Sequence, residues 1–359
     1  MRQAIERPPI AVDTPPPAAD VETERADPPG GRAAHAYRLV LLAASIALFA
    51  YLVWSLGPRE IAASFSQLSW RVILVVVFPT IVIKACDTLG WRCTLPDRQV
   101  SSWQLARALL AGQAVASTTP TGTLGGDAVK AWMVRHEVSR RASLSSLIIV
   151  ETTSTVAQGL LLLIGVVLAR ETLSSSLPLL HVMEWLLVLE VAAVAGFILV
   201  QLRGMATRGH GLLNRLGLAA APHISAAAAD VDRALAGFYR VHRRRLAASV
   251  AWNLLGWISG ALEVWFILYL LHATVSLTLA LIIEAFGTSI SFATFFLPVQ
   301  IGVDEGGAVA TFLALGLNGA TGLSLSLVRR VREVAWIAIG LLILAGGALP
   351  ARRPPVGAS

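Results

Sequence analysis

Three acids and three arginines share the stretch Leu297–Glu333, LPVQIGVDEGGAVATFLALGLNGATGLSLSLVRRVRE. Pro298 and Gly302 break an apolar run, and Asp304, Glu305, Gly306 and Gly307 follow at the break. A second apolar run then leads to Arg329, Arg330, Arg332 and Glu333. Guanidinium groups can fork onto phosphate oxygens, and broken helix ends expose backbone N–H groups that favour anions. The carboxylates suit an ammonium group or a proton, and Glu333 can pair with Arg329 or Arg330 at helical spacing. One acid at that spacing cannot neutralise three bases, so the arginines need further partners or a wet cavity. A fainter version of the pattern is TPTGTLGGDAVKAWMV, Thr119–Val134, with Pro120, Gly122, Gly125, Gly126, Asp127 and Lys130, followed by a long apolar segment bearing Glu151.

The elements that must hold these residues are membrane helices. Of 359 residues, 55% are hydrophobic and 14% charged, and the mean hydropathy is +0.68, a composition of polytopic membrane proteins. The net charge of +7 comes from Lys and Arg set between apolar runs rather than along a stripe. That placement reads as topology signal and not as a nucleic-acid surface. Cys86 and Cys93 give no disulfide framework, and the seven histidines show no zinc-ligand spacing, so neither metal nor cofactor is expected.

Residues 1–36 hold seven of the seventeen prolines and few large apolar residues, which predicts a disordered cytoplasmic tail. The membrane domain is expected over 37–350, with a short tail over 351–359. Spans are expected at Leu39–Leu56, Val72–Leu89, Leu144–Leu168, Val182–Leu202, Leu246–Leu271 and Leu323–Leu349. Lys84 and Asp87, three apart on one face, are expected to neutralise each other. The Arg-rich region 203–245 reads as a cytoplasmic loop whose middle, Ile224–Tyr239, has the spacing of a helix on the membrane surface.

Leu105–Ser117 and Leu124–Val134 are too short to cross and read as the arms of a re-entrant hairpin entering from the cytoplasm. Leu277–Leu297 fits either a full span or the descending arm of a second hairpin, and the charge rule favours the hairpin because it leaves Arg352 and Arg353 inside with the N-terminus. The fold class is therefore an all-α polytopic membrane protein, about six full transmembrane helices plus two re-entrant helical hairpins in a weak inverted repeat. Such repeats hold their sites near the midplane, between the halves. In the alignment of the two stretches Glu151 falls opposite Arg330, and Gly159 opposite Gly340.

Each candidate has a plainer reading beside it. A charge at the bilayer centre costs at least about 2.5–3.5 kcal/mol, so the arginines, Arg332 above all, can instead be interface anchors that snorkel. Asp127 and Lys130 can be an exposed pair, and the glycines can serve helix packing. Glu190, Glu263 and Glu284, each alone in its apolar run, read as acids held by local hydrogen bonds.

The segments PTGTLGGDAVKAWMVR, PVQIGVDEGGAVATFLALGL and SLVRRVRE, with an acid in the span after the first, resemble the membrane domain of lysylphosphatidylglycerol synthases and their stand-alone flippase-like relatives. The VDEGG and RRVRE signatures are most similar to hopanoid-biosynthesis-associated membrane proteins. The resemblance covers roughly 37–350 and implies a lipid-translocating or lipid-handling role. The soluble lysyl-transferase domain of the full synthases has no counterpart here, which sets the expectation that aminoacyl transfer is absent.

The reading is a lipid flippase or lipid-handling transporter of a bacterial inner membrane, multi-pass, with a polar headgroup, phosphate plus amine as in a phospholipid, held between the hairpins. Asp127, Lys130, Glu151, Asp304, Glu305, Arg329, Arg330, Arg332 and Glu333 are its expected substrate-binding residues. The competing readings are a membrane-embedded lipid-modifying enzyme using Asp127, Glu151 or Glu305 as acid or base, and a non-catalytic scaffold binding lipid-synthesis enzymes. No nucleophile elbow, metal set or nucleotide loop speaks for the enzyme.

Overall fold

The structure, a computed structural model, describes residues 71–95, 100–119, 122–173, 178–202, 222–293 and 303–348. The tails, the expected span Leu39–Leu56 and the expected breaks Pro120, Pro298 and Gly302 lie outside the described residues. All regular structure among the described residues is α-helical: α1 (Arg71–Thr94), α2 (Ser102–Thr118), α3 (Gly122–Met133), α4 (Arg140–Thr172), α5 (Pro178–Leu202), α6 (Pro222–Val241), α7 (Arg243–Leu270), α8 (Leu277–Ala293), α9 (Val303–Ala314) and α10 (Gly319–Ala348). Three of these, over Arg141–Thr172, Pro178–Gln201 and Arg243–Leu270, are long and apolar enough to cross a membrane. Large apolar side chains stand exposed on the outside, among them Phe78, Trp185 and Leu342. A water-soluble surface rarely tolerates this, and hydrocarbon requires it.

Polar side chains set where several helices start. Ser139 Oγ accepts from the Ala142 N–H ahead of α4, Ser276 Oγ from Leu279 ahead of α8, and Asn318 Oδ1 from Ala320 ahead of α10. Each fills one of the orphan donors of a helix N-terminus. Gly122, with φ of +55°, turns the chain into α3, a conformation that costs a residue with a Cβ.

The helices fall into two units of matching lengths. A 17-residue helix, a 12-residue helix and a long helix of 33 residues make α2, α3 and α4, while α8, α9 and α10 run 17, 12 and 30. Each unit has its own core. Trp91, Leu95, Leu105, Ala108, Val134 and Leu147 join α1 to α4, and Val264, Ile267, Ile283, Phe312, Leu325 and Val328 join α7 to α10.

The units run antiparallel. Gly90 of α1 faces Asn253 of α7 while Cys86 faces Gly256, and Ser249 Oγ donates to the Gly90 carbonyl. Likewise Gly165 of α4 approaches Ala285 of α8, and Gln158 Nε2 donates to the Thr288 carbonyl at 2.9 Å. The units are also interlaced, since α2 packs on α10 and α8 packs on α4.

Between the units, α5 lies along α4, and α6 docks on both. The expectation for the middle of the 203–245 region was a helix on the membrane surface. The helix forms, but Leu235 and Phe238 are buried against Ile149 of α4, because these apolar side chains find a protein surface to cover. Tyr239 donates to Gln201 Oε1 at 2.7 Å, and Gln201 Nε2 donates to Thr152 Oγ1 at 3.0 Å, so a polar chain ties α6 through α5 to α4. Burial pushes the Tyr239 phenol up.

Candidate functional site

A cavity of about 1150 Å³ opens between the units and is lined by α1 to α5 and α7 to α10. All nine residues expected to bind substrate line it: Asp127, Lys130, Glu151, Asp304, Glu305, Arg329, Arg330, Arg332 and Glu333. So do four charged residues that the sequence did not put forward for that role, Lys84, Asp87, Glu263 and Glu284.

One ionic group belongs to the first unit. Lys130 Nζ lies 3.0 Å from Asp127 Oδ1 and 3.6 Å from Glu151 Oε1, joining α3 to α4. The Lys130 side chain is only 16% exposed, which corrects its reading as half of a surface pair. Lys84 and Asp87 form the expected pair at 3.2 Å.

The larger group belongs to the second unit. Arg330 bridges Glu305 at 3.1 Å, Asp304 at 3.8 Å and Glu333 at 2.8 Å. Asp304 and Glu305 stand in the first turn of α9, where the helix dipole favours negative charge, and Ser291 donates to Asp304 at 3.1 Å. The α9 N-terminus thus already has anions beside it from its own chain, which weakens the expectation that this helix end takes an anionic ligand. Arg329 donates to Glu284 at 2.6 Å and approaches Glu263 at 3.9 Å, and Arg332 donates to Glu263. Gly260 makes this possible: a Cβ there would meet Glu284 Oε1 at 2.5 Å.

Two expectations change. Arg329, Arg330 and Arg332 sit in the interior of α10, each facing carboxylates, so none is an anchor at a helix end. Glu263 and Glu284 are not held by local bonds alone, since they neutralise Arg329 and Arg332 from α7 and α8. Their partners lie 69 and 45 residues away in sequence, so no local spacing reveals them. The available signal was the energetic deficit of three bases beside one acid, which requires distant acids in other spans.

The glycines divide. Gly122 makes a turn, whereas Gly125, Gly126, Gly306 and Gly307, expected as backbone breaks, lie within α3 and α9. Gly126 serves close packing, since a Cβ there would come 2.5 Å from the Gly112 carbonyl of α2. A Cβ on Gly307 would meet the Ile290 side chain of α8 at 3.3 Å.

Eight carboxylates (Asp87, Asp127, Glu151, Glu263, Glu284, Asp304, Glu305, Glu333) face five bases (Lys84, Lys130, Arg329, Arg330, Arg332) around this space. Acid is therefore in excess among the described residues. Glu263 Oε1 and Arg329 Nε are buried with no hydrogen-bond partner among the described residues. Leu189, Ala193, Val194 and Phe197 of α5 give the cavity an apolar wall. No group of three or more His, Cys, Asp or Glu side chains is arranged to hold a metal ion among the described residues.

Compared with known families, residues 38–341 match the model described as Lysylphosphatidylglycerol synthase TM region. No curated protein and no solved structure matches the chain.

Proposed function

We propose, on the premise that this chain belongs to the lysylphosphatidylglycerol synthase TM region family, that it moves a lipid across a bacterial inner membrane with the lipid headgroup in the cavity between its two halves. The observation that carries this reading is the union of both ionic groups around one space that also has an apolar wall. A polar head can exchange water for fixed charges there while its chains stay against α5. The excess of acid favours a headgroup that brings positive charge, such as an amine beside its phosphate.

The antiparallel halves support alternating access, in which one inverted unit rocks against the other around a midplane site. Helices of 17 residues span about 25 Å, short of the ~30 Å hydrocarbon thickness, which supports α2 and α8 as arms of re-entrant hairpins. Both termini are proposed to be cytoplasmic. Every base in the second group is engaged by acids, an arrangement that suits binding charge better than abstracting protons from a substrate, so the transporter is preferred to the enzyme.

The test uses protein reconstituted in vesicles of phosphatidylethanolamine and phosphatidylglycerol, with a trace of acyl-labelled lipid of either headgroup and a membrane-impermeant quencher. A hopanoid bearing a polar head is the third lipid to try. Wild-type protein should expose inner-leaflet label faster than protein-free vesicles, and Arg330→Glu or Glu305→Gln should lose that activity while still purifying as a folded species. Movement unchanged in both variants would remove these residues from the site. Lipid mass spectrometry of cells lacking the gene separates the enzyme: a missing chemical species would favour it, an altered leaflet distribution the transporter.

A further inference from the structure

Glu190 belongs to neither ionic group. It lies in the middle of α5, 1% exposed, and neither carboxyl oxygen has a hydrogen-bond partner among the described residues. Three contacts fix its depth. α5 runs antiparallel to α4, with Met183 at Gly165, Glu190 at Gly159 and Gln201 on Thr152. A Cβ on Gly159 would stand 3.7 Å from Glu190 Oε1, so the carboxyl lies directly on the α4 backbone surface.

Among the described residues, the charged groups on the helices packed against α5 are paired elsewhere or lie far along their helices, as Arg141 and Glu171 do, 18 and 12 residues along α4 from Gly159. On α4, Arg170 holds Glu184 at 2.7 Å and Glu151 faces Lys130. On α8, Glu284 holds Arg329, and on α9, Asp304 and Glu305 face Arg330. Tyr239 of α6 bonds Gln201, and the other α6 charges, Asp232, Arg233 and Arg240 among the residues with described side chains, belong to the helix that meets α5 at that end, eleven residues or about 16 Å along α5 from Glu190. An ionised carboxylate in this position would give up its hydration for nothing, whereas the neutral acid loses far less. Yet water-sized space is close, because Leu189, Ala193 and Val194 beside it on α5 and Gln158 beside Gly159 on α4 all line the cavity.

We propose that Glu190 is a proton-binding site in the cavity wall, which carries a proton while it is sealed against Gly159 and exchanges it with the cavity when α5 shifts, coupling lipid movement to proton movement. The step makes and breaks one O–H bond: water in the cavity delivers the proton to the carboxylate and receives it back. The coupling half of the proposal rests on the lipid-translocation reading above, and the protonation half does not.

The experiment takes the full chain in vesicles at pH 7 and records infrared difference spectra of wild type against Glu190→Gln. A carbonyl band of a protonated carboxylic acid, present in wild type and lost in the variant, is the expected result. Spectra that differ only in carboxylate bands would overturn the proposal. Gly159→Ser keeps Glu190 and sets a hydroxyl beside it, so it should shift the same band to lower frequency even if Glu190→Gln folds poorly; an unmoved band counts against the site. In the same vesicles an imposed proton gradient should change wild-type lipid movement severalfold and leave Glu190→Gln indifferent. A gradient response retained in the variant would sink the coupling. No lipid movement in wild type would instead sink the transport reading, and the infrared result would still decide protonation.

Discussion

Glu151 and Arg330 occupy the same position, the twelfth residue, in the long helices α4 and α10, and carry opposite charges. Each reaches back to the 12-residue helix before it, Glu151 to Lys130 of α3 and Arg330 to Glu305 of α9. The two halves thus build the same ionic joint with its polarity reversed. If both joints serve one site, Glu151→Gln should reduce lipid movement about as much as Arg330→Gln. We expect at least about tenfold for each, roughly 1.4 kcal/mol in the barrier, measured with the quenched-label vesicles. A loss confined to Arg330→Gln would make the first joint merely structural.

Arg330 and Glu305 should be coupled in stability as well. Glu305 is 2% exposed and faces a permanent cation, so removing Arg330 strips a buried carboxylate of that cation. In a double-mutant cycle of Arg330→Met and Glu305→Met, read by thermal unfolding in detergent, the double variant should be more stable than the two single losses sum to, by about 1–3 kcal/mol. Additive losses would mean that the contact contributes no coupling.

Gly340 tests the interlacing of the halves. A Cβ there would lie 2.3 Å from the Leu110 carbonyl of α2, so Gly340→Ala must push α10 off α2 and should cost about 1–3 kcal/mol. Gly196→Ala on α5 is the control, having nothing within 4 Å, and should be neutral or slightly stabilising. Equal melting temperatures for the two variants would contradict the packing.

The proposed inverted repeat predicts sidedness. In a background with Cys86 and Cys93 replaced, single cysteines at Glu137, between α3 and α4, and at Ala314, the last residue of α9, occupy equivalent exposed places in the two halves. An impermeant maleimide should label them from opposite faces, Glu137 from the cytoplasm. Labelling from one face would rule out the inverted repeat.

Much of the helical layout was legible because apolar runs and their breaks are local. Leu105–Ser117 and Leu277–Leu297 anticipated α2 and α8, and the spacing of Lys84 and Asp87 anticipated their pair. Asp304, Glu305 and Arg330 were legible as a group, since they flank one helical hairpin whose closure brings them together. Glu263 and Glu284 were not, because their meaning depends on α7 and α8 packing beside α10, and a lone acid in an apolar run looks the same whether or not a distant arginine faces it. The glycines misled for a related reason. Next to acids, Gly125 and Gly306 read as helix breaks, but a helix tolerates glycine where tertiary packing outweighs its ~1 kcal/mol propensity cost.

The pairing of Glu263 and Glu284 with Arg332 and Arg329 also bears on how the chain is made. The acids are synthesised 69 and 45 residues before their partners, an interval of about 2–14 s at ordinary elongation rates. During that time α7 and α8 hold carboxylates with no base to meet them, so they must linger near water or the insertion machinery until α10 arrives. A nascent chain halted at residue 318 would lack all three arginines. It should be cleared by quality-control proteases much faster than the full chain, and a pulse-chase comparison of the two would measure how long assembly waits on α10.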